Sequence, residues 1–418
     1  MSDRIRAIEA MEILGSTGRP TVEVRLVTES GIEVESSVPT GTSKGRYEAC
    51  EVYDGGTRFR GFGVRKAVSN VTEIIAPALK GKSVLEQREI DQLMMELDGT
   101  PNKGQLGSNA ILATSIAVAK AGAKAAGLPP YLYLGGVRAV RLPAPAATVI
   151  AGGEYSPASI EFEDYILCFD GFESFPEALE ALAETHYALG KALSKSFGVV
   201  PDVCGAWAPP LRSSEEAFEY MLRAAKDVGC DDRISLGLDI AATELFDEKS
   251  GMYDLNGRSV TVREFEAYIV ELARSFPLRY IEDPFHEDAF DDFSAITQLL
   301  PDRMIVGDDI FVTNIGRLQQ GIEKKAGNAM LMKINQIGTV TEAIDAAFFA
   351  REHGYDVAAS VRSNETNDPF QADVAVAVGA PLMKIGSPVR GERNAKYNRL
   401  LNISRELGAK ARFAKRTL

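Results

Sequence analysis

A chain of 418 residues, 45% hydrophobic and 25% charged, has the balance of a globular protein able to build a full core, and is long enough for two domains. Its formal charge of −13, from 46 basic against 59 acidic side chains, argues against nucleic acid and anionic membrane surfaces, where clustered lysine and arginine are expected. No apolar run approaches the ~20 residues of a membrane span, the N-terminus MSDRIRAIEAME lacks a signal peptide's apolar core, and four cysteines without CxxC spacing speak against disulfides or structural zinc, so the cytoplasm is the expected compartment.

The first elements read as strands. AIEAMEILG, PTVEVRLVTESG and IEVESSVPTG alternate apolar and polar residues between Gly and Pro, as in an antiparallel meander. Helical patterns follow at about 63–80 and 84–97, then at Asn109–Ala126, an Ala-rich helix closed by Gly127 and Pro129. Residues 1–135 therefore form an α+β domain, and YLYLGGVRAVRLP leads into a second region, 136–418. There the rhythm becomes strand, loop, helix, which suits parallel strands with crossover helices. Ser213 with Glu216 and Thr261 with Glu264 predict capping boxes. Gly- and Pro-rich loops near 150–160 and 200–213 stand where lids could be.

Six groups fall at or just past the C-terminal ends of short apolar runs: Asp239, Glu282, Asp308, Lys333, the Arg362–Ser363 pair and Lys384. They are 43, 26, 25, 29 and 22 residues apart, and apart from the first gap this is one strand plus one helix per step. In a (β/α)8 barrel the C-terminal strand ends converge on one mouth, where chemistry is placed. Read alone, each acid is more simply a helix N-cap or a solvent-facing residue. Three at successive strand ends supply oxygen ligands to a hard cation, Mg²⁺ first because no Cys or His joins the set.

Lys333 lies in an apolar strand, where burial and Lys384 would both lower its pKa and make it a usable base; the plainer alternative is that it pairs with a carboxylate. Lys384 would stay charged and hold a substrate carboxylate. Arg362 with Ser363 offers a forked donor and a hydroxyl suited to a phosphoryl oxygen. The loop PTGTSKG, residues 39–45, could set further donors around an anion, a weak signal by itself. Together these groups describe proton abstraction next to a carboxylate, with metal taking up the developing charge.

LDGTPNK with LGSNAIL, LGLDIAATELF, YIEDPFHED, VGDDIFVTN, MKINQIGT and RNAKYNRLL closely resemble the signatures of the enolase family, over nearly the whole chain. The resemblance implies an α/β protein with an N-terminal α+β domain over a modified (β/α)8 barrel. It also implies magnesium at Asp239, Glu282 and Asp308, Lys333 as base, Lys384 on the carboxylate, and Arg362 and Ser363 at the phosphate. Thr40 would lie in the loop that closes on a second Mg²⁺ and the substrate, and the protein would be a dimer or higher homo-oligomer.

Departures are concentrated in the other half of the site. Tyr155 stands near the point where the family has a histidine, and the family's Gln-Glu pair is Glu163-Asp164. Cys204 takes the place of the general-acid glutamate, with Asp202 two residues away, and Val361 replaces a second histidine. Gly15 and Thr17 stand where the family has Asp and Arg, which bears on its dimer contacts. Losing a positioned acid commonly costs about 10²–10⁴ in rate, so a divergent paralogue with weak or absent glycolytic activity is expected.

Three readings stay open. One is a Mg²⁺-dependent lyase of specialised metabolism acting on a modified 2-phosphoglycerate-like acid with a phosphoryl or phosphonoyl group, for example forming carboxyphosphonoenolpyruvate in phosphonate or phosphinate biosynthesis. Another is an ordinary phosphopyruvate hydratase in which Asp164, Glu163 or Asp202 takes over as acid. The third is a non-catalytic binding protein. Cys204 could be a structural thiol, a proton donor or a nucleophile. Tyr155 could donate a hydrogen bond to the anionic group, Trp207 could shape the wall, and His286 could reach the mouth, whereas His186 and His353 read as packing or surface residues.

Overall fold

The period-two runs at the N-terminus pair as an antiparallel meander of β1 (Ile5–Leu14), β2 (Pro20–Thr28) and β3 (Glu33–Ser37) in a computed structural model that describes residues 3–42, 44–153 and 160–414. Val22, Val24 and Leu26 of β2 are fully buried, and the sheet packs on the helix Ser108–Ala125. That helix is apolar almost all round because it is covered on nearly every side, the expected pattern for a core helix. Among the described residues no single helix is long and apolar enough to cross a membrane. The helix expected at 63–80 is interrupted. It runs Arg65–Asn70, widens to a π turn at Val71–Ile75, where Ala76 N–H reaches back to Val71, and resumes as Ala76–Leu79 around Pro77, which has no N–H to continue the ladder.

Eight strands close the second region into a barrel: β4 (Ala144–Ala151), β5 (Asp164–Cys168), β6 (Ser235–Asp239), β7 (Leu278–Glu282), β8 (Met304–Gly307), β9 (Ala329–Met332), β10 (Asp356–Ser360) and β11 (Leu382–Lys384). β11 pairs with β4 to complete the ring. The expectation of parallel strands throughout is corrected at β5, which is antiparallel to both β4 and β6. Residues 152–163 join β4 to β5, and antiparallel neighbours need no helical crossover between them. The reversal brings the start of β5 to the mouth: Asp164 pairs with Ala151 on one side and Asp239 on the other.

The outer helices begin as the sequence suggests. Thr261 and Glu264 form a full capping box. Ser213 accepts from Glu216 N–H, but the Glu216 carboxylate turns to Arg212 N–H, so that box is half made.

Candidate active site at the barrel mouth

All six strand-end groups come to one mouth. Asp239, Glu282 and Lys384 are the last residues of β6, β7 and β11, while Asp308, Lys333 and Arg362 follow β8, β9 and β10. Register fixes their heights, with Glu282 opposite Asp239 and Ser360 opposite Lys384. Glu282 is completely buried beneath the others, and the rest line the opening with Glu163, Asp164 and Cys204.

Two lysines organise the charge. Lys384 Nζ lies 2.5 Å from Asp239 Oδ2, 2.9 and 3.1 Å from the Glu282 oxygens and 3.1 Å from Asp164 Oδ2. Tyr280 donates its hydroxyl to Glu282 at 2.5 Å. Lys333 pairs with Asp308 Oδ2, whose other oxygen accepts from Gln336 at 2.7 Å. The expected lowering of the Lys333 pKa is corrected here. Burial does push it down, but Asp308 and Glu282 more than offset this and hold the ammonium above the ordinary lysine range. Burial and then the Asp239 charge raise Glu282 well above the usual carboxylate range, and burial with Asp239 and Asp164 does the same to Glu163.

The predicted ligand trio is not drawn together as one group. Asp239 and Glu282 share the Lys384 ammonium, whereas Asp308 is held by Lys333, since buried carboxylates take the nearest cation. The tight oxygen clusters are instead Glu163, Asp164 and Asp239 on one side and Asp283, Asp308 and Asp309 on the other. Among the described residues eight carboxylates against four cationic side chains line the mouth. This excess of oxygen donors, with no imidazole among them, fits a hard divalent cation.

The anion-binding end is anchored by groups that sequence reasoning missed. Glu48 takes the Arg362 guanidinium in a fork, at 2.9 and 3.1 Å, across 314 residues of sequence. Arg393 donates to the carbonyls of Arg362 and Ser363 at 2.6 and 3.0 Å. Nothing in the local pattern marks Glu48; Arg393 sits within a quoted family signature but away from the strand ends. Thr40, expected in a loop that closes on the substrate, is here a buried tie, with its hydroxyl accepting from Asn364 Nδ2 at 3.0 Å and its backbone bridging that residue. From the same loop it is Gly41 that lines the mouth, and Thr42 whose N–H donates to the Ser363 hydroxyl at 2.9 Å.

Cys204 does reach the mouth, on a turn where its φ is +51°, with Sγ 3.8 Å from the Ser363 carbonyl. Asp202 turns away to pair with Arg390 and to accept from Gly205 N–H. Trp207 is also corrected: it stacks on His186 at 5.3 Å, outside the mouth, and the His186 ring nitrogen Nε2 bonds the Gly205 carbonyl at 2.9 Å. His286 stacks on Phe246 at 4.1 Å and does not reach the opening. Val361 lines it. Tyr155 and most of the 150–160 loop lie outside the described residues.

Comparison with known proteins finds two matching family models. Residues 5–134 match the family model of the enolase N-terminal domain, and residues 139–418 that of the enolase C-terminal TIM barrel domain. The chain is 46% identical to a Methanothrix thermoacetophila protein named Enolase, over 100% of the chain and 99% of that relative. It is 47% identical to its Methanopyrus kandleri namesake (99% and 98% covered) and 46% to that of Pyrococcus furiosus (98% and 96%).

Proposed function

This chain belongs to the enolase family, and from that premise we propose that it is a Mg²⁺-dependent carbon–oxygen lyase that takes the α proton from a 2-phosphoglycerate-like acid. The observation that carries the reading is the convergence on one mouth of Lys333, Lys384, Asp239, Asp308 and the Arg362–Ser363 pair, with Glu282 bonded to Lys384. Asp239, Glu282 and Asp308 would hold the metal, which when bound offsets the negative charge that builds on the substrate carboxylate.

In this reading Lys384 binds that carboxylate, and Arg362 with Ser363 holds the phosphorus-bearing group. Lys333 becomes a base once Asp308 gives its charge to another partner, because Asp308 is what keeps the ammonium protonated. The α C–H bond breaks with its proton passing to Lys333 Nζ, the C–C double bond forms, and the β-hydroxyl leaves as water after gaining a proton. Glu163 is placed to give that proton, since burial and the Asp239 and Asp164 charges favour its protonated form; the Cys204 thiol is a second source on the far side. Asp202, tied to Arg390, takes no part.

Cys204 and Val361 beside Arg362 favour a phosphorus group larger than plain phosphoryl, so the finer proposal is a phosphonoyl substrate with carboxyphosphonoenolpyruvate as a candidate product. Identity of 46–47% to proteins named Enolase favours the second reading, in which the substrate is 2-phosphoglycerate itself. Absorbance at 240 nm, followed with Mg²⁺ and each substrate, separates the two. Exchange of the α proton with D₂O is expected in the wild type and lost in Lys333→Ala; exchange that survives the substitution refutes the mechanism. A dimer or larger homo-oligomer belongs to the same proposal, and sedimentation velocity tests it.

A further inference from the structure

Glu163, Asp164 and Asp239 cluster at the ends of β5 and β6, and across the barrel, beyond β10, Arg362 and Arg393 stand with Cys204. Arg362 is taken up by Glu48 on both sides of its fork. Arg393 is not. It is 4% exposed and lines the mouth, and two of its nitrogens are spent on the carbonyls of Arg362 and Ser363. Its Nε has no hydrogen-bond partner, and the nearest carboxylate oxygen, Glu392 Oε1, is 3.9 Å away.

A buried cationic donor without an acceptor is costly to keep and marks a place where an acceptor can bind. Its neighbour on the mouth side is a glycine, Gly386, whose φ is +91°. A Cβ on Gly386, itself a mouth residue, would stand 3.6 Å from Arg393 Nε, so only a hydrogen on that residue separates the donor from the glycine backbone. Cys204 Sγ and Arg393 share the Ser363 carbonyl, so the thiol borders the same recess without bringing a competing negative carboxylate.

We propose that Arg393 forms a second anion subsite beside Arg362, and that it receives a carboxylate carried on the substrate's phosphorus. The naming of that substituent rests on the phosphonoyl form of the lyase reading above; the subsite itself rests on the unmet donor. A carboxylate oxygen would satisfy Nε while the phosphoryl oxygens meet Arg362 and Ser363, so recognition would depend on both anions lying on one phosphorus.

Titration calorimetry of the full chain with Mg²⁺ tests this with two probes, phosphonoformate and inorganic phosphate. Wild-type protein is expected to bind phosphonoformate at least tenfold more tightly. In Arg393→Gln that preference should fall below threefold while phosphate affinity stays within threefold, and Arg393→Lys should keep part of it. Equal binding of the two probes by the wild type overturns the subsite. So does an equal loss for both in R393Q, which would assign Arg393 to holding the Arg362–Ser363 backbone alone. If R393Q does not fold, the wild type decides through methylphosphonate, which lacks the carboxylate: it should bind no better than phosphate, and binding as tight as phosphonoformate's refutes the claim. Lyase assays that fail while these preferences hold would sink the lyase reading and leave the subsite standing.

Discussion

At Lys333 two effects oppose each other: burial favours the neutral amine, and the Asp308 carboxylate in direct contact favours the ammonium, with the second winning. Asp308→Asn is therefore expected to lower the Lys333 pKa and raise its reactivity toward an acetylating reagent at neutral pH, read by peptide mass spectrometry; unchanged reactivity would assign the proton's retention to Glu282. His186 gives a pH prediction of definite sign. Burial, first among its causes, depresses its pKa below the ordinary value of about 6.5. The stability of the neutral ring is then present above about 6.5 and lost as pH falls through the folded-state value, because the unfolded chain takes up the proton first. His186→Gln, which keeps a donor for the Gly205 carbonyl, should flatten the decline in melting temperature between pH 6.5 and 5. A decline of the same slope in the variant would exclude His186 as its source.

The elements are joined around one residue, Asn364, which follows the anion-binding pair. Its Oδ1 accepts from Thr17 N–H at 2.9 Å and from the Thr17 hydroxyl at 2.8 Å, and its amide donates to Thr40 at 3.0 Å. The β1–β2 turn can approach only because residue 15 is glycine: a Cβ there would stand 2.4 Å from Asn364 Oδ1. Asn364→Ala leaves buried donors unpaired and should cost about 1–3 kcal/mol. Gly15→Ala should destabilise the wild type by a comparable amount yet cost little in an Asn364→Gly background, where the clash has gone. Calorimetric melting of the four proteins forms the cycle; additive losses would mean that the turn is not held through this contact. Gly15 and Thr17 read in the sequence as departures bearing on dimer contacts; within the chain Thr17 meets Asn364, 347 residues away.

For the whole molecule, what could be read from sequence was whatever repeats with strand and helix period. The barrel, its N-terminal domain and the six strand-end groups follow from apolar runs at regular spacing. The reversal of β5, the fork of Glu48 on Arg362 and the pairing of Lys333 with Asp308 do not, since each depends on which distant chain segments meet after closure. The same holds for charge. Individual acids were visible, but only closure shows that carboxylates outnumber cations around the mouth and that Glu163, Glu282 and Asp283 are pushed toward their protonated forms by burial and by neighbouring acids, Asp239 acting on all three. A divalent cation relieves that repulsion and must displace protons to do so. Addition of Mg²⁺ is thus expected to raise the melting temperature, by a stabilisation of about 2.7 kcal/mol at a hundredfold excess over its Kd. EDTA should reverse the rise, which should be larger at pH 8 than at pH 6 because fewer protons then have to leave. Asp239→Asn should abolish most of it. A melting curve indifferent to Mg²⁺ at both pH values would mean that the lysines alone neutralise this mouth, and that the acids at its strand ends hold no metal.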